Sequence, residues 1–111
     1  VLHPEAPHIT YVRSDGEIVV YDYDGQEYLH IYTMPQSIGC IAYVPDGSLL
    51  IIGEGSDQGG LHLFDAETHE LLATFFAGQP ISSCAFNADG SLLATGHHSG
   101  KISLWDTVWG E

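Results

Sequence analysis

Seven histidines and two cysteines are the first side chains of this 111-residue sequence to consider for metal binding or catalysis. His97 and His98 are adjacent, and neighbouring residues of a strand point to opposite faces, so such a pair seldom chelates one ion. No HExxH or HxxxH spacing occurs. His62 lies in a strand-like run, where an ordinary packing role is expected. We therefore expect no metal and no cofactor.

The segment DYDGQE, residues 22–27, faintly resembles a calcium loop, but it lacks the third acidic position and the Glu at the twelfth position. Asp-Gly is common in hairpin turns, so a turn is favoured over a calcium site. No GxSxG or comparable nucleophile setting accompanies the serines. The sequence accordingly predicts no catalytic residues and no enzymatic activity.

Cys40 and Cys84 lie in the apolar runs SIGCIAYV and ISSCAF, with no CxxC motif. Two cysteines in such runs do not suggest a disulfide-rich secreted scaffold. Buried free thiols in a reducing compartment are favoured over a disulfide between them.

The charge is strongly acidic: fifteen Asp and Glu face only Arg13 and Lys101, which gives a formal charge of −13. Such a chain should repel the phosphates of nucleic acids and anionic membranes, so neither is an expected partner. Basic segments of other proteins would be attracted. Solubility alone is the simpler explanation of the charge.

Polar residues in expected turns are the candidates for contact with a partner protein. The segment EGSDQGG, residues 54–60, is the most distinctive of these turns, although tolerance of an insertion explains it more simply. The candidate protein-binding residues are Asp15, Glu54, Asp57, Glu67, Glu70, His97 and His98.

The elements that would position these residues come from an internal repeat. The segment IAYVPDGSLLIIG, residues 41–53, matches CAFNADGSLLATG, residues 84–96, and the turns Asp46-Gly47 and Asp89-Gly90 are 43 residues apart. The apolar runs are short and rich in β-branched and aromatic residues, with turn residues between them. The sequence predicts an all-β fold with no helix longer than one or two turns.

A second landmark is a strand that ends in an aromatic residue followed by Asp. It appears as GEIVVYD, LHLFD and GKISLWD, and its aspartates are 43 and 41 residues apart. The aromatic–aspartate pairs are Tyr21-Asp22, Phe64-Asp65 and Trp105-Asp106.

The segment PISSCAFNADGSLLATGHHSGKISLWD resembles a WD repeat along its whole length, and the two preceding units resemble it more loosely. The resemblance implies a β-propeller with four antiparallel strands in each blade. Residues 1–34 would form an incomplete blade, 35–77 a complete blade and 78–111 another incomplete blade. These amount to about two and three-quarter blades of a propeller with about seven or eight. An excerpt of a longer chain is favoured over one segment of a homo-oligomeric ring.

These repeats depart from the pattern of the family, in which a His before the first strand, a turn Asp, a Ser or Thr and the Trp form a hydrogen-bonded set. The segments MPQSI and AGQPI contain no His, and the turn aspartate remains only as Asp15. The sequence therefore predicts that the set is absent from all three units. It also places Tyr43, Leu49, Phe86 and Leu92 in the core at equivalent positions.

The resemblance implies a protein–protein interaction scaffold in a multiprotein complex, located in the cytoplasm or nucleus. The alternative is a segment of a catalytic or cofactor-bearing propeller of the quinoprotein or haem type, whose repeats also contain PDG. The complete LLATGHHSGKISLWD segment favours the WD type.

Overall fold

The computed structural model describes residues 1–13, 17–33 and 37–106, and contains ten β-strands and no helix in those ranges. Asp15 lies outside them. The strands are β1 (His8–Val12), β2 (Ile18–Asp22), β3 (Glu27–Tyr32), β4 (Ile38–Tyr43), β5 (Leu49–Glu54), β6 (Gly60–Asp65), β7 (Leu71–Phe76), β8 (Ile81–Phe86), β9 (Leu92–His97) and β10 (Ile102–Asp106).

The strands form three antiparallel sheets in chain order. Blade 1 contains β1–β2–β3, blade 2 contains β4–β5–β6–β7, and blade 3 contains β8–β9–β10. Leu2 adds an isolated bridge to Ile9 at the inner side of blade 1. The prediction of an all-β partial propeller is confirmed.

The Asp-Gly turns connect the first two strands of blades 2 and 3. Gly47 and Gly90 have φ of 78° and 76°, a left-handed conformation that glycine adopts without steric cost. The carboxylates of Asp46 and Asp89 accept hydrogen bonds from the backbone N–H groups of Ser48 and Ser91. The repeated sequence thus encodes the same turn twice.

The centre of the structure is β5, because both of its faces are covered. Leu50 and Ile52 pack against Ile18 and Val20 of blade 1, while Ile51 packs towards blade 3. Blade 2 therefore contributes to both apolar cores. The buried residues of the core between blades 2 and 3 are Ile51, Leu61, Leu63, Ile81 and Leu93.

The predicted core register was partly wrong. Leu49, Tyr43 and Phe86 are partly buried and pack against the cores, but Leu92 is 43% exposed. Leu93, its neighbour on the opposite face of β9, is fully buried against blade 2. Leu92 lies on the face of blade 3 that is turned away from blade 2, whereas Leu49 at the equivalent place is covered by blade 3.

The expectation of free thiols was also wrong, because Cys40 of β4 and Cys84 of β8 form a disulfide with Cα atoms 5.9 Å apart. The pairing registers make Ser83 the equivalent of Cys40, since each is opposite the glycine near the end of the next strand. Cys84 is therefore one residue beyond the position in blade 3 that is equivalent to Cys40. Consecutive strand residues face opposite ways, so Cys40 faces blade 3 and Cys84 faces blade 2. The disulfide links the innermost strands of neighbouring blades.

Candidate protein-interaction surface

The turns of the three blades lie at two ends, because successive antiparallel strands reverse direction. One end, here called the acidic end, contains residues 3–7, 23–26, 44–48, 66–70 and 87–91 and the adjoining strand termini. The opposite end contains residues 55–59, 77–80 and 98–101. Ten of the thirteen acidic residues in the described ranges are at the acidic end: Glu5, Asp22, Asp24, Glu27, Asp46, Asp65, Glu67, Glu70, Asp89 and Asp106.

Neither of the two basic residues lies at the acidic end. Arg13 follows β1 and Lys101 precedes β10, and both positions belong to the opposite end. The segregation follows from the repeat, because each blade places its Asp-containing turns between the same pairs of strands. The acidic end consequently has a concentrated negative potential.

Three turn carboxylates are held in their ionised form by hydrogen bonds. The Ser48 hydroxyl and backbone N–H lower the pKa of Asp46, and those of Ser91 do the same for Asp89. The backbone N–H groups of Thr68 and Glu67 lower the pKa of Asp65. These charges therefore persist below the usual range of an aspartate, and the acidic end stays negative in mildly acidic solution.

A surface cavity of about 350 Å³ opens at the acidic end between blades 1 and 2. Carboxylates of blade 2 and imidazoles of blade 1 line it together with small residues. The lining residues are His3, Ala6, His8, Asp46, Gly47, Ser48, Asp65, Ala66 and Glu67.

The structure divides the predicted protein-binding residues between the two ends. Glu67 and Glu70 are exposed in the β6–β7 turn at the acidic end, whereas Asp57 and His98 are exposed at the opposite end. The predicted set is therefore not one contiguous surface.

Glu54 and His97 are not loop residues. Each is the last residue of its strand, and they are only 8% and 5% exposed. They occupy equivalent places in blades 2 and 3, since each ends the strand that follows the Asp-Gly turn. Burial leaves little of either side chain available to a partner, and their hydrogen bonds give them a role within the blade.

In blade 3, His97 belongs to a buried polar network that contains the tryptophan. The Trp105 indole N–H donates to Oγ1 of Thr95 at 3.0 Å, and Thr95 lies 3.4 Å from Nε2 of His97. Nδ1 of His97 is 2.9 Å from the Pro80 carbonyl, so it donates there, and Nε2 accepts from Ser103. This network differs from the family's set, because its histidine comes from the end of β9 and Ser99 stands where the turn Asp is expected. The sequence did not predict it.

Blade 2 has a carboxylate and an imidazole at the corresponding places. Nε2 of His62 contacts the Glu54 carboxylate, which also accepts from the Ser56 hydroxyl at 2.8 Å. Nδ1 of His62 is 3.0 Å from the Thr74 hydroxyl. His62 is thus linked to β5 and β7 and stabilises the blade.

Replacing Thr95 by Val should lower the free energy of unfolding by about 1–2 kcal/mol, because the partly buried indole N–H of Trp105 and the buried imidazole of His97 would each lose a partner. Urea denaturation of the variant measures the loss. Thr74→Val is the matched control, since that hydroxyl is only partly buried and should cost less. Equal losses for the two variants would contradict a buried network centred on Thr95.

The aromatic–aspartate pairs serve the blade rather than a binding site. Phe64 is buried in the core between blades 1 and 2, and Trp105 packs against the core between blades 2 and 3. Tyr21 lies 5.0 Å from Tyr28 between ring centroids. Asp22, like Asp65, accepts hydrogen bonds from the backbone of the turn that follows it.

Sequence reasoning missed the segregation of charge between the two ends. The signal was present, since the ends follow from the alternation of turns along each repeat. Within the described ranges, no group of three or more His, Cys, Asp or Glu could hold a metal ion. No helix in those ranges is long and apolar enough to cross a membrane.

Comparison with known proteins agrees with this architecture. Residues 69–106 match the family model "WD domain, G-beta repeat". Two solved structures, entitled "Crystal structure of RRP9 WD40 repeats" and "Structure of U3-55K", superpose with a TM-score of 0.85 over 96% of the chain at 21% identity. The chain therefore has the fold of a partial WD-repeat propeller, and residues 69–106 match the repeat family in sequence. The chain spans about a third of those two structures, 34% and 35% of their chains. Its sequence matches no curated protein.

Proposed function

We propose that the acidic end of this WD-repeat segment binds a basic segment of a partner protein, as a non-enzymatic scaffold within a multiprotein complex. The WD-repeat fold generally mediates protein–protein interaction. The observation that carries the proposal is the segregation of charge, with ten carboxylates at one end and both basic residues towards the other. An even distribution of the same charge would serve solubility alone.

The rigidity of the acidic end supports a specific contact. Asp46, Asp65 and Asp89 are held by hydrogen bonds in tight turns, so their charges are fixed relative to one another. Fixed charges lose less side-chain entropy on binding than mobile ones do. The exposed Glu67 and Glu70 lie beside them and extend the same negative surface.

The expected partner is a peptide segment rich in Lys and Arg. Such a segment gains from the negative potential of this end, and steering by that potential speeds the association. Nucleic acids and anionic membranes are negatively charged, so the acidic end would repel them.

We place the protein in the cytoplasm or nucleus as part of the same proposal. The Cys40–Cys84 disulfide weighs against that location, because disulfides are rare there.

Replacing Glu67 by Lys should weaken the binding of a labelled Lys- and Arg-rich peptide by about threefold to tenfold at low salt. The substitution puts a positive charge where the acidic end has a negative one, and that charge repels the peptide. Fluorescence anisotropy gives the dissociation constant. Asp57→Lys is the matched control: it makes the same charge change on an exposed residue of the opposite end. Affinity should also fall as the salt concentration rises, since screening shortens the reach of the charges.

Equal effects of the Glu67 and Asp57 substitutions would mean that net charge, rather than the acidic end, attracts the peptide. A larger effect of Asp57→Lys would move the binding surface to the opposite end. Binding that salt does not change would refute the electrostatic basis of the proposal.

A further inference from the structure

Histidines join blades 1 and 2 at the acidic end. His3, His8 and His30 belong to blade 1, and His69 lies in the β6–β7 turn of blade 2. These four residues are called here the histidine seam. None of them is used by the polar networks of blades 2 and 3.

The contacts of His3 require a neutral imidazole. Its Nδ1 accepts hydrogen bonds from the backbone N–H groups of Glu5 and Ala6, at 3.0 and 2.8 Å. Its Nε2 lies 3.0 Å from the carbonyl of Gly47 in blade 2, so this nitrogen carries the proton and donates it. A second proton on Nδ1 would face two N–H groups and break both bonds. The bond to Gly47 crosses between blades, so loss of the His3 geometry reaches the interface directly.

The other end of the seam is a pair of stacked imidazoles. The rings of His30 and His69 are 4.5 Å apart between centroids and inclined by only 6°. Nδ1 of His69 also contacts the hydroxyl of Tyr32 at 3.1 Å. Two positive rings at this separation would repel each other, so the stack favours at most one proton.

The groups around the seam shift the pKa of His69 in both directions. Burial lowers the pKa of His69, the positive forms of His30 and His8 lower it further, and Asp65 acts in the opposite direction. Tyr43 packs edge-on against His3. The ionisable groups that face the seam from the elements around it are Asp22, Tyr32, Tyr43, Asp46, Asp65 and Glu67, with Asp22 opposite His8 in the β1–β2 pair.

We propose that the histidine seam is a pH-sensitive contact, through which acidification below about pH 6 loosens blade 1 from blade 2. The unfolded chain takes up protons near the ordinary histidine pKa of about 6.5. In the folded chain a second proton on His3 breaks two hydrogen bonds, and burial lowers the pKa of His69. The stability that the seam contributes is therefore complete above about pH 6.5. It is lost as the pH falls from there towards the lower pKa of the folded state, and it is not regained at still lower pH. His3 and His8 line the cavity at the acidic end, so loosening the contact between the blades would change the shape of that cavity.

The test compares urea denaturation at about pH 7.5 and about pH 5 for the natural protein and for a variant with His30→Phe and His69→Asn. Phe keeps the ring stack without a titrating group, and Asn tolerates the left-handed backbone of position 69, where φ is 66°. His98→Asn is the control, since His98 is exposed in a turn outside the seam. The hydrogen bonds that lower the pKa of Asp46, Asp65 and Asp89 keep these carboxylates ionised over this pH range. Any change due to His3, His8, His62 and His97 is common to all three proteins.

When the pH falls from about 7.5 to about 5, the equilibrium constant for unfolding should rise in all three proteins. The rise should be about tenfold larger in the natural protein and in the His98 variant than in the double variant. A tenfold difference corresponds to one unit of pKa shift. An equal rise in all three proteins would overturn the part of the proposal that rests on the stacked pair, and nitrogen-15 NMR of the natural protein would then test His3. Should the double variant fail to fold, nitrogen-15 NMR of the natural protein decides the question. His3 must then be protonated on Nε2 alone at neutral pH, and the shifts of His3, His30 and His69 must change together with those of Gly47. Independent titration of these histidines, with Gly47 unchanged, would refute the proposal.

Discussion

Reducing the Cys40–Cys84 disulfide should lower the free energy of unfolding by about 4 kcal/mol. The two cysteines are 44 residues apart in the chain, so the bond closes a long loop and removes many conformations from the unfolded state. The bond also crosses between the innermost strands of blades 2 and 3. Reduction therefore weakens the contact between two blades rather than one blade alone.

Urea denaturation with and without a dithiol reductant measures this effect on one and the same sequence. Reduction leaves both sulfur atoms in place, so no cavity complicates the comparison. A variant with Cys40→Ser and Cys84→Ser is the control and should not respond to the reductant. The prediction fails if the natural protein unfolds at the same urea concentration in both redox states.

The same residues can test the cellular location. Rapid alkylation of intact cells labels free thiols before they can oxidise, and mass spectrometry then reports the state of both cysteines. Labelling of both in the cytoplasm or nucleus would show that the reducing environment keeps the bond open. An unlabelled, linked pair would place the protein in an oxidising compartment or show that the bond resists cellular reductants.

The repeat made the blades predictable from sequence, because the turns Asp46-Gly47 and Asp89-Gly90 and the aromatic–aspartate endings fix where strands begin and end. It was harder to predict from the sequence which side chains are covered by a neighbouring blade. Leu49 and Leu92 are equivalent in sequence, yet only Leu49 is covered, since coverage depends on what lies beside each blade.

The disulfide shows how a one-residue difference decides a contact. The turns repeat after 43 residues and the cysteines are separated by 44. Residues at the same position of two blades would face the same way around the propeller and could not pair. The additional residue turns Cys84 towards Cys40. This signal was in the spacing and was missed because the cysteines were judged by the polarity of their surroundings.

The buried polar groups were beyond sequence reasoning for a different reason. Glu54 begins a glycine-rich segment that resembles an exposed loop, whereas His62 was correctly expected inside a strand but without its polar partner. Their contact depends on the pairing of β5 with β6, in which Ile52 lies opposite His62. The family pattern directed attention to a histidine before the first strand of each blade. His97 performs a comparable role from the end of β9.

Replacing Gly39 by Ala should lower the free energy of unfolding by at least about 3 kcal/mol, because the backbones of β4 and β8 approach too closely there for a side chain. A Cβ atom at position 39 would lie 1.7 Å from the carbonyl oxygen of Ile81 and 2.7 Å from its carbonyl carbon. Both atoms are backbone, so no side-chain rotation relieves the clash and the two blades must separate locally. The neighbouring Cys40–Cys84 bond resists that separation.

Gly55→Ala is the matched control for this measurement. Its Cβ would lie 3.3 Å from the Ser37 hydroxyl oxygen and 3.8 Å from the same Ile81 carbonyl oxygen, so small movements accommodate it. That variant should lose no more than about 1 kcal/mol, since the reduced freedom of the unfolded chain offsets part of any strain. Urea denaturation of both variants gives the comparison. If Gly39→Ala is as stable as Gly55→Ala, the innermost strands of blades 2 and 3 do not pack backbone against backbone, and the contact between these blades must rest on the apolar side chains and the disulfide.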